Sequence, residues 1–193
     1  MADTAGERHE HAGKTSRAYL NAGTVVAGTG VQAGDTFLDV GCGDGYFSLE
    51  ASRVVGAGGR VYAIDSYEAS ISALKEQIGR EGLGNIEAIA ADATDRVPLD
   101  DGTVDACLLA NVLHGFAANR EVERAMREIA RVLRAGGILA VVEFTKVSGP
   151  PGPPLSIRIA PEELESMVAP YGFEKAESFG VGPHHYEMVL RRA

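Results

Sequence analysis

Two hydrophobic periodicities alternate along the chain. Short, mostly apolar runs occur at 36–40, 60–64, 85–91, 104–110 and 138–144. Runs of that length between turn residues predict strands, and the almost wholly apolar Val104–Ala110 predicts a strand covered on both faces. Between them lie segments of helical period: 45–55, then 67–81 with Ile71, Leu74 and Ile78 on one face, then 119–133, which is expected to stop at Gly136-Gly137. The segments joining the first five strands are too long for hairpins, so parallel strands with crossovers are expected. After the run "SGPPGPP" at 148–154, residues 161–171 predict a helix that opens on proline and acidic residues. Residues 173–181 and 185–190 predict two further strands joined by a tight turn. Residues 14–29 read as an extra helix ahead of the repeating unit. The expected fold class is therefore α/β: a doubly wound seven-stranded sheet, mostly parallel, with an antiparallel C-terminal strand.

Composition acts mainly by exclusion. A chain of 193 residues with 45% hydrophobic and 23% charged content fits one globular domain. No run of about 18 apolar residues is present, and the first residues are polar, so neither a membrane partner nor export is expected and a cytoplasmic location is. Cys42 and Cys107 lack ligand spacing, which argues against a disulfide framework or a cysteine zinc site. The formal net charge is −9. The densest basic group, Arg120, Arg124, Arg127, Arg131 and Arg134, is interleaved with glutamates and reads as a solvated, ion-paired helix face. A nucleic-acid partner is therefore not expected, and a small-molecule partner is. Nothing in the pattern specifies an oligomeric state.

Candidate chemistry centres on "FLDVGCGDGYFS", residues 37–48, where Gly41, Gly43 and Gly45 stand between the first strand and the first helix of the repeat. Glycines there let backbone approach a ligand and aim free N–H groups at it. A phosphate-binding P-loop needs Gly-Lys-Ser/Thr, and no lysine lies between Lys14 and Lys75. The dinucleotide fingerprint needs glycine at position 46, where this chain has Tyr46. Asp65, ending the second strand, is placed to take two ribose hydroxyls, with Ser66 beside it. Asp92, closing the third strand, is placed to accept from an adenine amino group.

The strings "FLDVGCGDGYFS", "VYAID", "AADATD", "LLANVLHGF" and "IARVLRAGGILAVVEF" resemble, in order and spacing, the motifs of class I S-adenosylmethionine-dependent methyltransferases. They cover about residues 36–145, and the wording is nearest to the small-molecule branch that resembles the ubiquinone/menaquinone-biosynthesis methyltransferases. The resemblance implies a Rossmann-like methyltransferase fold with S-adenosyl-L-methionine as cofactor. It implies Asp39, Gly41 and Gly43 at the methionine end, Asp65 on the ribose, Asp92 and the Ala93 amide on adenine, and Asn111 near the methionyl amine. It also implies an organisation of residues 1–29 as an N-terminal segment with a lid helix, and residues 30–193 as one S-adenosylmethionine-binding domain. Ala135 departs from the family, whose members usually carry proline before the Gly-Gly turn.

Ligands of open α/β sheets bind beyond the carboxyl ends of the parallel strands. That rule gathers Asn111, His114, Glu143, Thr145 and the terminal hairpin turn with His184 and His185 at one rim; a lid would bring His9, His11 and Tyr19 over it. Two functional readings stay open. His114, His184 or His185 acts as a general base oriented by Glu143, with Tyr19 over the acceptor. Alternatively, His9, His11, His114, His184 and His185 supply ligands for a divalent metal, although no HxxxH pair supports that set. A bland reading, with these histidines only shaping loops, competes with both. For the whole protein the expected activity is in-line methyl transfer to a small-molecule acceptor. The alternatives are an NAD-dependent oxidoreductase, or a non-catalytic cofactor- or metal-binding module of the same fold.

Overall fold

The computed structural model describes residues 15–193. Its elements run α1 (Ala22–Gly28), β1 (Thr36–Val40), α2 (Tyr46–Val55), β2 (Arg60–Asp65), α3 (Glu68–Glu81), β3 (Ile86–Ala90), β4 (Val104–Ala110), α4 (Leu113–Ala118), α5 (Val122–Val132), β5 (Leu133–Phe144), α6 (Pro161–Val168), β6 (Phe173–Val181) and β7 (His185–Arg192). The sheet order is β3-β2-β1-β4-β5-β7-β6. Strands β1 to β5 pair in parallel, and β7 runs antiparallel to both β5 and β6. Strand β6 therefore points the same way as the first five, and the β6–β7 turn lies at their carboxyl end. The expected doubly wound sheet is the observed one.

The apolar runs are continuous because both faces are buried. Phe37, Ala106, Leu108 and Val142 pack with α1, α2 and α3 through Val25, Phe47, Ile71 and Leu74. Leu38, Cys107, Leu109 and Val141 face the other way, onto α4, α5 and α6 through Leu113, Met126, Ile129 and Leu164. Strand alternation assigns neighbouring residues to opposite cores. Each fully buried side chain of this size contributes about 1.5–3 kcal/mol to stability.

Two elements differ most from expectation. The segment before β1 is a 3-10 turn at Ser16–Ala18 followed by the separate helix α1, with Asn21 accepting from the Thr24 N–H as its cap (2.9 Å). The amphipathic helix expected over 119–133 begins at Val122, and the short helix α4 precedes it. It also ends at Val132, before the glycine pair, because Leu133 already pairs with Val104 and Arg134 donates to Asp105 at 2.6 Å. The arginine-rich face is ion-paired as read: Arg124 with Glu121, Arg127 with Glu123, and Arg131 with Glu128 and Asp101. Both cysteines are buried and unlinked. No helix among the described residues is long and apolar enough to cross a membrane.

Candidate functional site

A cavity of about 760 Å³ opens at the carboxyl ends of β1, β2, β3, β4 and β5. Its floor is the β1–α2 turn. Gly41, Gly43 and Gly45 all have positive φ, where L side chains are disfavoured. Side chains are also barred by space: a Cβ at Gly41 would come within 2.6 Å of Val112, and one at Gly45 within 2.4 Å of Leu74. The turn is fixed to the second anchor, since Asp65 Oδ2 accepts from the Gly43 N–H (2.9 Å) and Oδ1 from the Tyr67 N–H (2.8 Å). Each carboxylate oxygen retains acceptor capacity beyond its one backbone bond. Asp92 is oriented by its own turn, Oδ1 accepting from the Thr94 N–H and hydroxyl at 2.8 and 2.7 Å.

Gly41, Gly43, Asp65, Ser66, Asp92, Ala93 and Asn111 line the cavity. Asn111 holds φ at +60°, donates from Nδ2 to Ser16 (3.2 Å), and keeps its buried Oδ1 without a partner among the described residues. A buried unsatisfied acceptor is costly, and one on a cavity wall suits an incoming cation or N–H donor. Gly45 serves as the left-handed cap of α2 and does not itself line the space. Asp39 departs from expectation altogether. Alternation along β1 turns its side chain beneath α2, where it is 1% exposed and accepts from the Ser48 hydroxyl at 2.6 Å. Burial raises its pKa to about 7, against the lowering effect of the Ser48 bond. It ties β1 to α2 through Ser48 and does not line the cavity.

Tyr46, read in the sequence only as an obstacle to a dinucleotide, latches the chain over the floor. Its hydroxyl donates to the Leu20 carbonyl (3.0 Å) and accepts from the Ala22 N–H (3.2 Å), and Arg17 stacks over its ring at 4.5 Å. Arg17 and Thr15 both donate to Asp44 Oδ2, at 2.8 and 3.1 Å. Asp44 Oδ1 in turn accepts from the Tyr46 N–H at the start of α2 (3.2 Å). A carboxylate therefore occupies the helix N-terminus that holds pyrophosphate in dinucleotide-binding folds.

The second half of the cavity lies toward β4 and β5. His114, at the start of α4, lines it, and Glu143 lies behind. Glu143 Oε2 is 2.7 Å from His114 Nδ1, and Oε1 accepts from the His114 backbone N–H at 3.0 Å; both side chains are buried. A carboxylate on Nδ1 fixes the proton there and leaves Nε2 as the basic nitrogen. Phe144, one residue on, points to the opposite face of the sheet from Glu143 and meets Tyr19 edge to face at 6.3 Å. Tyr19, Phe116, Phe144, Gly152 and Pro153 complete this wall.

The structure separates His184 and His185 from the dyad. His185 is buried behind Phe144, with ring centroids 3.9 Å apart, and neither ring nitrogen is bonded among the described residues. Burial, with help from His184 and Arg158, lowers its pKa to about 4. His184 bonds through its backbone carbonyl to Thr145, and neither His184 nor His185 lines the cavity. Neither is placed to act as the base. Among the described residues, no three His, Cys, Asp or Glu side chains gather in a group able to hold a metal ion. The metal set of His114, His184 and His185 is thus not assembled, and His9 and His11 lie outside the described residues. The sequence reading missed Asp44, Phe116, Glu121, Phe144 and Pro153; the strand-end rule that picked out Glu143 also reaches Phe144, provided alternation is applied to choose the face.

The family profile described as "Methyltransferase domain" matches residues 38–141, from β1 through β5. The ubiquinone/menaquinone biosynthesis C-methyltransferase of Escherichia fergusonii is 36% identical over 119 residues, which cover 61% of this chain and 46% of that protein. Its counterpart from Hahella chejuensis is 35% identical over 123 residues, 63% of this chain and 48% of the relative. The chain thus spans about half the length of the curated relatives it matches. Among solved structures, a SAM-dependent methyltransferase from Aquifex aeolicus superposes with a TM-score of 0.84 at 26% identity, covering 93% of this chain and 94% of that one. The profile takes in the glycine turn, both acidic anchors and the His114 segment, and the chain belongs to the methyltransferase-domain family.

Proposed function

We propose that the protein transfers a methyl group from S-adenosylmethionine to a small-molecule acceptor, with His114 as general base and Glu143 as its orienting partner. One observation carries the choice of cofactor. The cavity is lined by Asp44, Asp65, Asp92 and Glu121 and, among the described residues, by no lysine or arginine. That lining suits a ligand bearing a sulfonium and an ammonium, and offers nothing to a pyrophosphate. The residues therefore fit the cofactor: Asp65 for the ribose hydroxyls, Asp92 and the Ala93 amide for adenine, Asn111 Oδ1 and the glycine turn for the methionyl end. When bound, S-adenosylmethionine supplies an electrophilic methyl on sulfur, which leaves a neutral thioether once the methyl has gone.

The protein's share is alignment, exclusion of water and removal of one proton. Tyr46 and Asp44 hold residues 15–22 across the cofactor half of the cavity. Aligning two reactants lowers the barrier by about 7–11 kcal/mol in well-oriented systems. His114 takes the acceptor's proton at Nε2, and Glu143 stabilises the imidazolium through Nδ1–H. We further propose that residues 30–193 act as one cofactor-binding domain, that the protein works in the cytoplasm, and that nucleic acid is not its acceptor.

Calorimetry with S-adenosylhomocysteine and NADH tests the reading. Binding of the first, lost in Asp65→Ala, is the expected result. Tight NADH binding with no affinity for S-adenosylhomocysteine would overturn it, and cofactor binding without methylation of any acceptor would leave a non-catalytic module.

A further inference from the structure

The proline-rich run between β5 and α6 has a specific tie. Prolines 150, 151, 153 and 154 lack N–H groups, so the loop has few donors for its own carbonyls. Arg158, only 7% exposed, supplies them from one guanidinium. Nε donates to Pro153 (2.9 Å), Nη1 to Val147 (2.7 Å) and Thr145 (3.3 Å), and Nη2 to Gly149 and Pro151 (both 2.7 Å). Five carbonyls of the segment 145–153 thus converge on one planar, fixed set of donors, a geometry that lysine cannot reproduce. The same guanidinium lies 5.6 Å from the centre of the Phe144 ring.

The loop so held is a wall of the cavity. Gly152 and Pro153 line it beside Phe144. Gly152 lies so close to the Phe144 ring that a Cβ there would come within 2.6 Å of Cδ1. This wall follows β5, next to β4, whose end leads to His114, whereas Asp65 and Asp92 follow β2 and β3 beyond β1.

From this we infer that Arg158 is the specificity-determining positioning residue of the acceptor compartment: it touches no substrate, and sets the wall's position by gathering the carbonyls of residues 145–153 behind Gly152 and Pro153. The inference rests on the proposed methyl transfer and adds to it the origin of acceptor selectivity. It separates the two halves of the cavity, because Arg158 bonds to none of the cofactor-side residues.

The test compares wild type, Arg158→Lys and Gly152→Ala, using S-adenosylhomocysteine as the cofactor probe and the acceptor identified by label transfer. Arg158→Lys should bind S-adenosylhomocysteine within about twofold of wild type while the acceptor KM rises about tenfold or more, with kcat changed far less. Bulkier acceptors should gain relative to the native one. An unchanged acceptor KM, or a parallel loss of cofactor affinity, would overturn the inference. Hydrogen exchange on the same variants reads the tie without turnover. Amides of residues 145–157 should lose protection in Arg158→Lys while those of β1, β2 and β4 keep theirs; unchanged loop protection also overturns it. A wild-type protein that binds the cofactor but methylates nothing defeats the proposed reaction, and the exchange result then decides on the loop alone.

Discussion

Glu187 offers the sharpest energetic test of the fold around the site. It sits on β7 between Val142 of β5 and Phe179 of β6, is 0% exposed, and has neither carboxyl oxygen bonded among the described residues. Its carboxyl presses on α1, with an oxygen only 2.5 Å from where a Cβ at Gly28 would stand. Burial raises its pKa to about 8. The native state thus keeps a proton that the unfolded chain releases in the ordinary carboxylate range. Its contribution is most favourable below that range, falls as pH rises, and is fully lost above about pH 8. At about 1.4 kcal/mol per pH unit, the loss between pH 5 and pH 9 amounts to about 4 kcal/mol.

Glu187→Met removes the titration and keeps an unbranched side chain of similar length. Denaturant unfolding of both proteins at pH 5, 7 and 9, with linear extrapolation, gives the difference between them. Asp39, whose raised pKa adds a slope of the same sign, is common to both and cancels. The stability of Glu187→Met relative to wild type should grow by about 4 kcal/mol from pH 5 to pH 9. A difference independent of pH, which means that Glu187 titrates like a solvated carboxyl, or one that grows toward acid, which means that the fold favours its carboxylate, refutes the reasoning.

Other consequences are more direct. Tyr46→Phe strands the Leu20 carbonyl and the Ala22 N–H, and should cost about 1–3 kcal/mol in denaturant unfolding and speed S-adenosylhomocysteine release in stopped flow. His185 carries the opposite sign to Glu187. Its neutral form contributes stability in full above the usual imidazole pKa, and that is lost as pH falls toward about 4. His185→Phe should therefore flatten the acid limb of the stability profile, by up to about 3 kcal/mol. His114→Gln should lower kcat about 10²–10⁴-fold for a weakly acidic acceptor, with S-adenosylhomocysteine affinity unchanged by calorimetry.

The sheet was legible because burial on both faces writes itself into the strands: Val104–Ala110 is apolar but for Asp105. The cofactor half was legible because glycines and two strand-end aspartates are local signals. What escaped depends on direction. Asp39 and Val40 are neighbours, but alternation buries the first under α2 and turns the second to the cavity. Glu143 and Phe144 divide in the same way, one to His114 and the other to the acceptor wall. His184 and His185 reach the expected rim, yet Phe144 stands between His185 and the cavity. The Tyr46 latch joins residues far apart in sequence, and the Arg158 tie runs to backbone carbonyls; no periodicity announces either.

The most direct measurement is transfer of label from methyl-labelled S-adenosylmethionine into a small-molecule extract, with wild type beside Asp65→Ala and His114→Gln. Label should enter a discrete low-molecular-weight product with wild type and fall to background in both variants. Label that never leaves the cofactor, or a product formed equally well by both variants, would contradict methyl transfer in this cavity.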